Sequence, residues 1–226
     1  MGKKQPFEKP NLKAGIDEAG RGAVVGPMVI ACVTISSDRE KELVELGVKD
    51  SKLLTPKLRE QIYSRIYSTA SGVLVRKVQP EEIDQALSGK GLNYLEARII
   101  AEFLGKIRAS VVYVDAPQFS PRSFENLLRF LSGSRTHIVA EPFADRRYPL
   151  VSAASIVAKV VRDREIRRLR EIYGDFGSGY PSDEKTRRFL AKLVVNEEVP
   201  PIVRRSWRTY LKINERSKTR TLEDFT

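Results

Sequence analysis

Asp17 and Glu18 stand side by side in Gly15-Ile16-Asp17-Glu18-Ala19-Gly20-Arg21-Gly22, where an apolar run meets a glycine-arginine-glycine turn. Two further acids hold comparable positions. Asp115 closes the run Val111-Val112-Tyr113-Val114, and Asp145 lies just before a long helical segment. Clustered carboxylates repel one another and are tolerated mainly when a cation neutralises them. Hard oxygen ligands suit Mg2+ or Mn2+, and no cluster of Cys and His offers a zinc site. Two such ions ~3.5–4 Å apart can activate a water and stabilise the leaving oxygen in phosphodiester hydrolysis. Neighbouring strand residues point to opposite faces, so Asp17 and Glu18 can share a site only where their strand ends, and Gly20 permits that ending. Each acid alone reads equally well as a helix cap or a salt-bridge partner; the joint pattern points to metal. His137, the one histidine, opens a predicted strand remote in sequence from all four acids and receives no role.

The chain around these acids has 226 residues, enough for one large domain or a domain with a modest helical appendage. Hydrophobic residues make up 41%, which supports a packed core and excludes wholesale disorder. Forty Lys and Arg against 29 Asp and Glu leave a formal charge of +11, which favours a polyanionic partner. The single cysteine, Cys32, sits in the apolar run Val29-Ile30-Ala31-Cys32-Val33, so a buried thiol is expected and no disulfide framework. That composition suits a reducing compartment. No apolar run approaches the ~18 residues of a membrane span, and no apolar segment follows the charged start, so a cytoplasmic protein is expected.

The elements that must position the acids follow from periodicity. Residues 12–17 and 27–35 read as strands joined by the glycine-rich turn 19–26, with further strands at 72–78, 110–115 and 137–140. Thr55-Pro56 is an N-cap followed by proline at the first helical position, opening a helix to about residue 67. A short helix starts near Pro80, and Leu92, Leu95, Ile99, Phe103 and Leu104 mark an amphipathic helix over 92–106. Helices at 121–131 and 151–173 follow, then a glycine-rich loop and C-terminal helices near 182–195 and 206–212. Early strands followed by strand–helix alternation predict an α/β fold with a mixed sheet.

Five segments, in order, resemble the motifs of type 2 ribonucleases H, the ribonuclease HII family, in its archaeal style. They are Gly15–Gly22; Asp50-Ser51-Lys52-Leu53; Tyr113-Val114-Asp115-Ala116; Ala144-Asp145-Arg146-Arg147-Tyr148-Pro149, continuing through Val151 to Val160; and Gly177-Ser178-Gly179-Tyr180-Pro181-Ser182-Asp183. The resemblance implies a ribonuclease H-like mixed sheet flanked by helices, with a catalytic domain over 12–173, a helical substrate-binding appendage over 174–213 and a polar tail over 214–226. It implies an endonuclease that cuts the RNA strand of RNA/DNA hybrids and incises 5′ of a single ribonucleotide embedded in DNA, leaving 3′-hydroxyl and 5′-phosphate ends. Asp17, Glu18, Asp115 and Asp145 would hold two Mg2+ or Mn2+ ions. The turn Gly20-Arg21-Gly22 would approach the ribonucleotide through backbone groups and sense its 2′-hydroxyl, and Tyr180 would stack on the following deoxyribose. Lys52 is a candidate phosphate contact. Arg204 and Arg205, beside Trp207 and Arg208, combine cations with an aromatic as a duplex-gripping surface does.

The last eight residues, Thr219-Arg220-Thr221-Leu222-Glu223-Asp224-Phe225-Thr226, are similar to a sliding-clamp-binding peptide. Leu222 and Phe225 match its aliphatic and first aromatic anchors, while Thr219 and Thr226 stand where glutamine and a second aromatic are usual. A monomer is expected. Two other readings compete: a non-catalytic nucleic-acid-binding protein of the same fold, and another two-metal nuclease such as a junction resolvase. Four acids near phosphate disfavour the first, and the Gly-Arg-Gly turn with Tyr180 disfavours the second.

Overall fold

The computed structural model describes residues 12–48, 54–117 and 120–223, with side chains as far as 217. Lys52 and Phe225, and the side chain of Leu222, lie outside the described residues. Five strands, β1 (Leu12–Ala19), β2 (Met28–Ser36), β3 (Gly72–Val78), β4 (Val111–Asp115) and β5 (His137–Glu141), form one mixed sheet in the order β3-β2-β1-β4-β5. The helices among the described residues are α1 (Glu40–Glu45), α2 (Pro56–Thr69), α3 (Pro80–Leu87), α4 (Leu92–Lys106), α5 (Pro121–Ser132), α6 (Pro149–Tyr173), α7 (Glu184–Val195) and α8 (Arg208–Glu223).

β1 is the middle strand, and β4 and β5 run parallel beside it. Parallel neighbours need crossover connections; α3 and α4 supply one and α5 the other. β2 is buried along Met28–Ile35, which is why it reads as an unbroken apolar run rather than an alternating one. Cys32 lies within it, fully buried, and burial pushes its thiol up to about 12, so it stays protonated and inert. Helix starts follow the expected chemistry: the Thr55 hydroxyl accepts the Leu58 amide at 3.3 Å, and Asp183 caps α7 through the Lys185 amide at 2.9 Å.

Three elements differ from expectation: β1, expected over 12–17, runs on to Ala19, so Asp17 and Glu18 both lie within the strand. α1 buries only Leu43, too little for a periodic signal. The segment from 214, expected as a polar tail, continues α8 to Glu223, and Tyr210 and Ile213 are the residues that pack it inward.

The chain divides into two compact units that interleave in sequence. Of the described residues, one gathers 12–17 with those of 31–75 and 96–157; the other comprises 18–30, 76–95 and 158–223. One of the boundaries between them falls at the peptide bond between Asp17 and Glu18.

Within the first unit, Gly15 of β1 meets the first turn of α6 backbone to backbone. A β-carbon on Gly15 would land on the carbonyl group of Leu150 and the amide nitrogen of Val151. A strand glycine of this kind marks close backbone approach. Ser152, Ala153, Ala154 and Ser155 are all buried, and the Ser152 hydroxyl donates to the Val48 carbonyl. The second unit has its own core, in which Val24, Val25, Ile166, Leu169, Phe176, Leu190 and Ile202 are buried.

Gly15→Ala should therefore unseat α6, costing about 1–3 kcal/mol and lowering the melting temperature by about 5 °C. Thermal melting followed by circular dichroism checks this; an unchanged midpoint would mean that α6 can retreat without penalty.

Candidate active site

The β1–β4 ladder ends by pairing Ile16 with Val114, and the next residue on each strand is an acid. Parallel neighbours lie ~4.8 Å apart, so Asp17, two residues before the end of β1, lies beside Asp115, the last residue of β4, toward the carboxyl edge where open α/β sheets bind ligands. Asp17 is buried to 6% exposure, while Asp115 is half-buried. The Asp115 Oδ1 accepts the Ala144 amide at 2.8 Å. That bond joins the end of β4 to the turn that carries Asp145.

Several contacts brace this turn. Phe143 takes a left-handed conformation (φ 59°), a strain of about 1–3 kcal/mol for a bulky residue, and Ala144–Arg146 then form a single 3-10 turn. Tyr148 stacks on Tyr113 with centroids 4.1 Å apart and donates to Glu141 Oε1 at 3.2 Å. Burial, helped by the Glu141 charge, holds the Tyr148 hydroxyl above its ordinary range, so it remains a donor. Arg147 pairs with the other Glu141 oxygen. Asp145 consequently sits at 6% exposure; its Oδ1 accepts no hydrogen bond from the described residues, though the side chain keeps other electrostatic contacts.

Among the described residues, no group of three or more acids, histidines or cysteines is drawn together as a ready-made metal centre. What the first unit does bring together is Asp17 with Asp115, by register, and Asp115 with the turn of Asp145, by a hydrogen bond. Glu18 follows Asp17 in the chain and is half-buried. Buried, acceptor-only carboxylate oxygens are the donor set that a hard divalent cation takes, so the residues fit such an ion.

The second unit contains the turn. Gly20 has φ +82°, and a β-carbon on it would strike the Arg162 side chain, so no other residue fits there. The Gly20 carbonyl accepts the Ala23 amide at 3.2 Å, closing the turn. The Arg21 Nη2 donates to Asn93 Oδ1 at 2.6 Å. Tyr180 belongs to the same unit: the Gly179 carbonyl accepts the amides of Val24 at 2.8 Å and Val25 at 3.1 Å, tying the tyrosine loop to the residues that follow the turn. The Arg162 guanidinium lies 4.6 Å from the centroid of the Tyr180 ring and donates to the Ser178 carbonyl at 3.0 Å.

Arg204 requires a correction. It was expected on an exposed duplex-gripping surface, yet it is fully buried, and its guanidinium donates to the carbonyls of Gly20, Arg21 and Gly26 at 2.8–3.1 Å. Burial, with repulsion from Arg162, pulls it down to about 9, which leaves it charged at neutral pH. Arg205 is exposed, with its guanidinium on the Val199 carbonyl at 2.7 Å. Trp207 is an anchor, packed on the second unit's core with the Arg204 guanidinium 5.0 Å from its ring.

Three participants were not legible in the sequence: Arg162, Asn93 and Asp84, whose carboxylate accepts the amides of Arg205 and Ser206. Arg162 did carry a signal, because it falls between Ala158 and Ile166 at the four-residue spacing of α6's buried face. Asn93 and Asp84 carried none.

Acids near the carboxyl edge of adjacent parallel strands, in an α/β sheet on a strongly basic chain, suit a metal-dependent nuclease of the ribonuclease H-like fold, and the comparisons with known proteins identify that class. The family model of ribonuclease HII matches residues 14–210. The chain is 45% identical over 218 residues to ribonuclease HII of Pyrococcus furiosus, covering 93% of this chain and 96% of that protein. It is similar to the crystal structure of ribonuclease H2 from Pyrococcus horikoshii OT3 (TM-score 0.85, 42% identity, 92% of this chain and 99% of that one). Ribonuclease HII of Archaeoglobus fulgidus, solved in complex with PCNA, is also similar (TM-score 0.82, 43% identity, 89% and 96% covered). The chain belongs to the ribonuclease HII family, and so is a type 2 ribonuclease H.

Asp145→Asn keeps the shape of the side chain and removes its charge. It should lower cleavage of an RNA/DNA hybrid about a thousandfold or more, with duplex binding by fluorescence anisotropy retained. Cleavage within a few fold of wild type would remove Asp145 from the site.

Proposed function

We propose that this protein hydrolyses the RNA strand of RNA/DNA hybrids and incises duplex DNA 5′ of a single embedded ribonucleotide, leaving 3′-hydroxyl and 5′-phosphate ends. Asp17, Glu18, Asp115 and Asp145 would hold Mg2+ or Mn2+. When bound, such ions supply Lewis acidity at the scissile phosphate and lower the pKa of an attacking water. The chain's own part is positional. The Ala144 amide fixes the orientation of the Asp115 carboxylate, and the stacked Tyr113–Tyr148 pair braces the segment that presents Asp145.

Gly22 is the observation that carries the ribonucleotide-specific part of this reading. It is exposed, a β-carbon on it would meet nothing within 4 Å among the described residues, and its φ lies outside the left-handed region. Folding therefore does not require glycine at 22. A partner's close approach to the main chain does, and the 2′-hydroxyl, both donor and acceptor, is the group by which ribose differs from deoxyribose. Tyr180 then provides an aromatic face for the next sugar, steadied by Arg162 behind it.

The Archaeoglobus fulgidus relative was solved with PCNA, and the tail of this chain, with Leu222 and Phe225, supports binding to a replication sliding clamp. Full-length protein should be retained by immobilised clamp, and protein lacking residues 219–226 should not; equal recovery would sink the idea.

The decisive experiment incubates wild type with one DNA duplex carrying a single ribonucleotide, in Mg2+, in Mn2+ or with chelator. A single cut 5′ to the ribonucleotide is expected with metal and none with chelator; no cut under any metal condition refutes the function. Gly22→Ala should melt within about 0.5 kcal/mol of wild type and lose about tenfold or more in cleavage of that duplex.

A further inference from the structure

We infer that Arg204 and Asp84 are positioning residues for ribonucleotide selection: a buried guanidinium, latched by a carboxylate, aims the amides of the Gly20–Gly22 turn. This rests on the function proposed above. Arg204 lies at 0% exposure, with Nη2 donating to the Gly20 carbonyl at 2.8 Å and Nη1 to the Arg21 carbonyl at 2.9 Å. Nε and Nη2 both reach the Gly26 carbonyl, at 3.1 and 3.0 Å, so one planar fork grips both ends of the loop. Lysine, a point charge on a flexible stem, cannot reproduce that arrangement.

Peptide planarity turns this grip into direction. In a trans peptide the carbonyl of one residue and the amide of the next point opposite ways. Drawing the Gly20 and Arg21 carbonyls onto a buried group therefore turns the amides of Arg21 and Gly22 away from it. Gly22 is the exposed member of the turn, so its amide is set by a side chain 182 positions distant that a ligand at Gly22 need not touch.

Asp84 fixes the segment that delivers Arg204. From α3, its Oδ2 accepts the Arg205 amide at 2.8 Å and its Oδ1 the Ser206 amide at 3.1 Å, and the Ser206 hydroxyl also donates to it. On the other side the Arg204 amide donates to the Val24 carbonyl at 2.9 Å. The guanidinium is thus held from its own backbone and seated against Trp207.

The test uses full-length wild type, Arg204→Lys and Asp84→Asn. Each is assayed in Mg2+ on a duplex with a single ribonucleotide and on a continuous RNA/DNA hybrid, with thermal melting alongside. Arg204→Lys should raise KM for the single-ribonucleotide duplex about tenfold, with kcat changed less than about threefold and a smaller KM effect on the hybrid. Asp84→Asn should move KM in the same direction by a smaller factor. A merely structural role predicts a lower melting temperature and an equal fall in kcat on both duplexes at constant KM, and that result overturns the inference. Should Arg204→Lys fail to fold, Asp84→Asn decides, because it retains Arg204; an unchanged ratio of the two KM values overturns the inference. Wild type that leaves the single-ribonucleotide duplex uncut overturns the proposed function itself, whereas cutting by wild type with unaltered variants overturns only the positioning role.

Discussion

The first turn of α6 lies where a side chain at position 15 would be, and the arrangement of acids depends on that contact. With no β-carbon between them, a strand backbone and a helix backbone touch directly. This holds the start of α6 at a fixed height on β1, two residues before Asp17. The short turn carrying Asp145 immediately precedes α6, so its place is bounded by that contact on one side and by the Asp115–Ala144 hydrogen bond on the other. The run of small buried residues at 152–155 serves the same closeness, since larger ones would push the helix away.

In the second unit the corresponding constraint is polar. The loop over Gly20–Gly26 has carbonyls that must be satisfied, and an unmet buried carbonyl costs about 1–3 kcal/mol. A water or a neighbouring strand could have met that need. Here an arginine does, and a guanidinium brings charge as well as donors into the interior. Arg162 adds a second, over the Tyr180 ring and held below its ordinary range chiefly by burial. The turn and the tyrosine thus rest on cationic side chains rather than on hydrocarbon, and both belong to one compact unit.

Much of this was legible in the residues. An apolar run ending in an acid is a strand with a carboxylate near its tip, which holds for Asp115 at the end of β4, while β1 continues two residues past Asp17. Thr55-Pro56 and the spacing of Leu92, Leu95 and Ile99 announced helices that the structure contains. Arg204 misled because a cluster of arginines with a tryptophan looks like an outer surface, and a buried arginine is legible only through its acceptors, which lie almost two hundred positions away. The left-handed Phe143 had no signal either, since nothing in a phenylalanine advertises that conformation. α8 was read short because few apolar residues suffice to seat it.

The two buried guanidiniums also bear on how the protein responds to its ionic surroundings. Mobile salt ions weaken an interaction by crowding around the charges that make it, and they cannot crowd around a group enclosed by protein. Exposed lysines and arginines give a nucleic-acid affinity that falls steeply with added salt. Arg162 and Arg204, at 4% and 0% exposure, place instead two positive charges where mobile salt ions do not surround them. Ionic strength thus acts on the exposed cations of the chain far more than on the two charges enclosed beneath the turn.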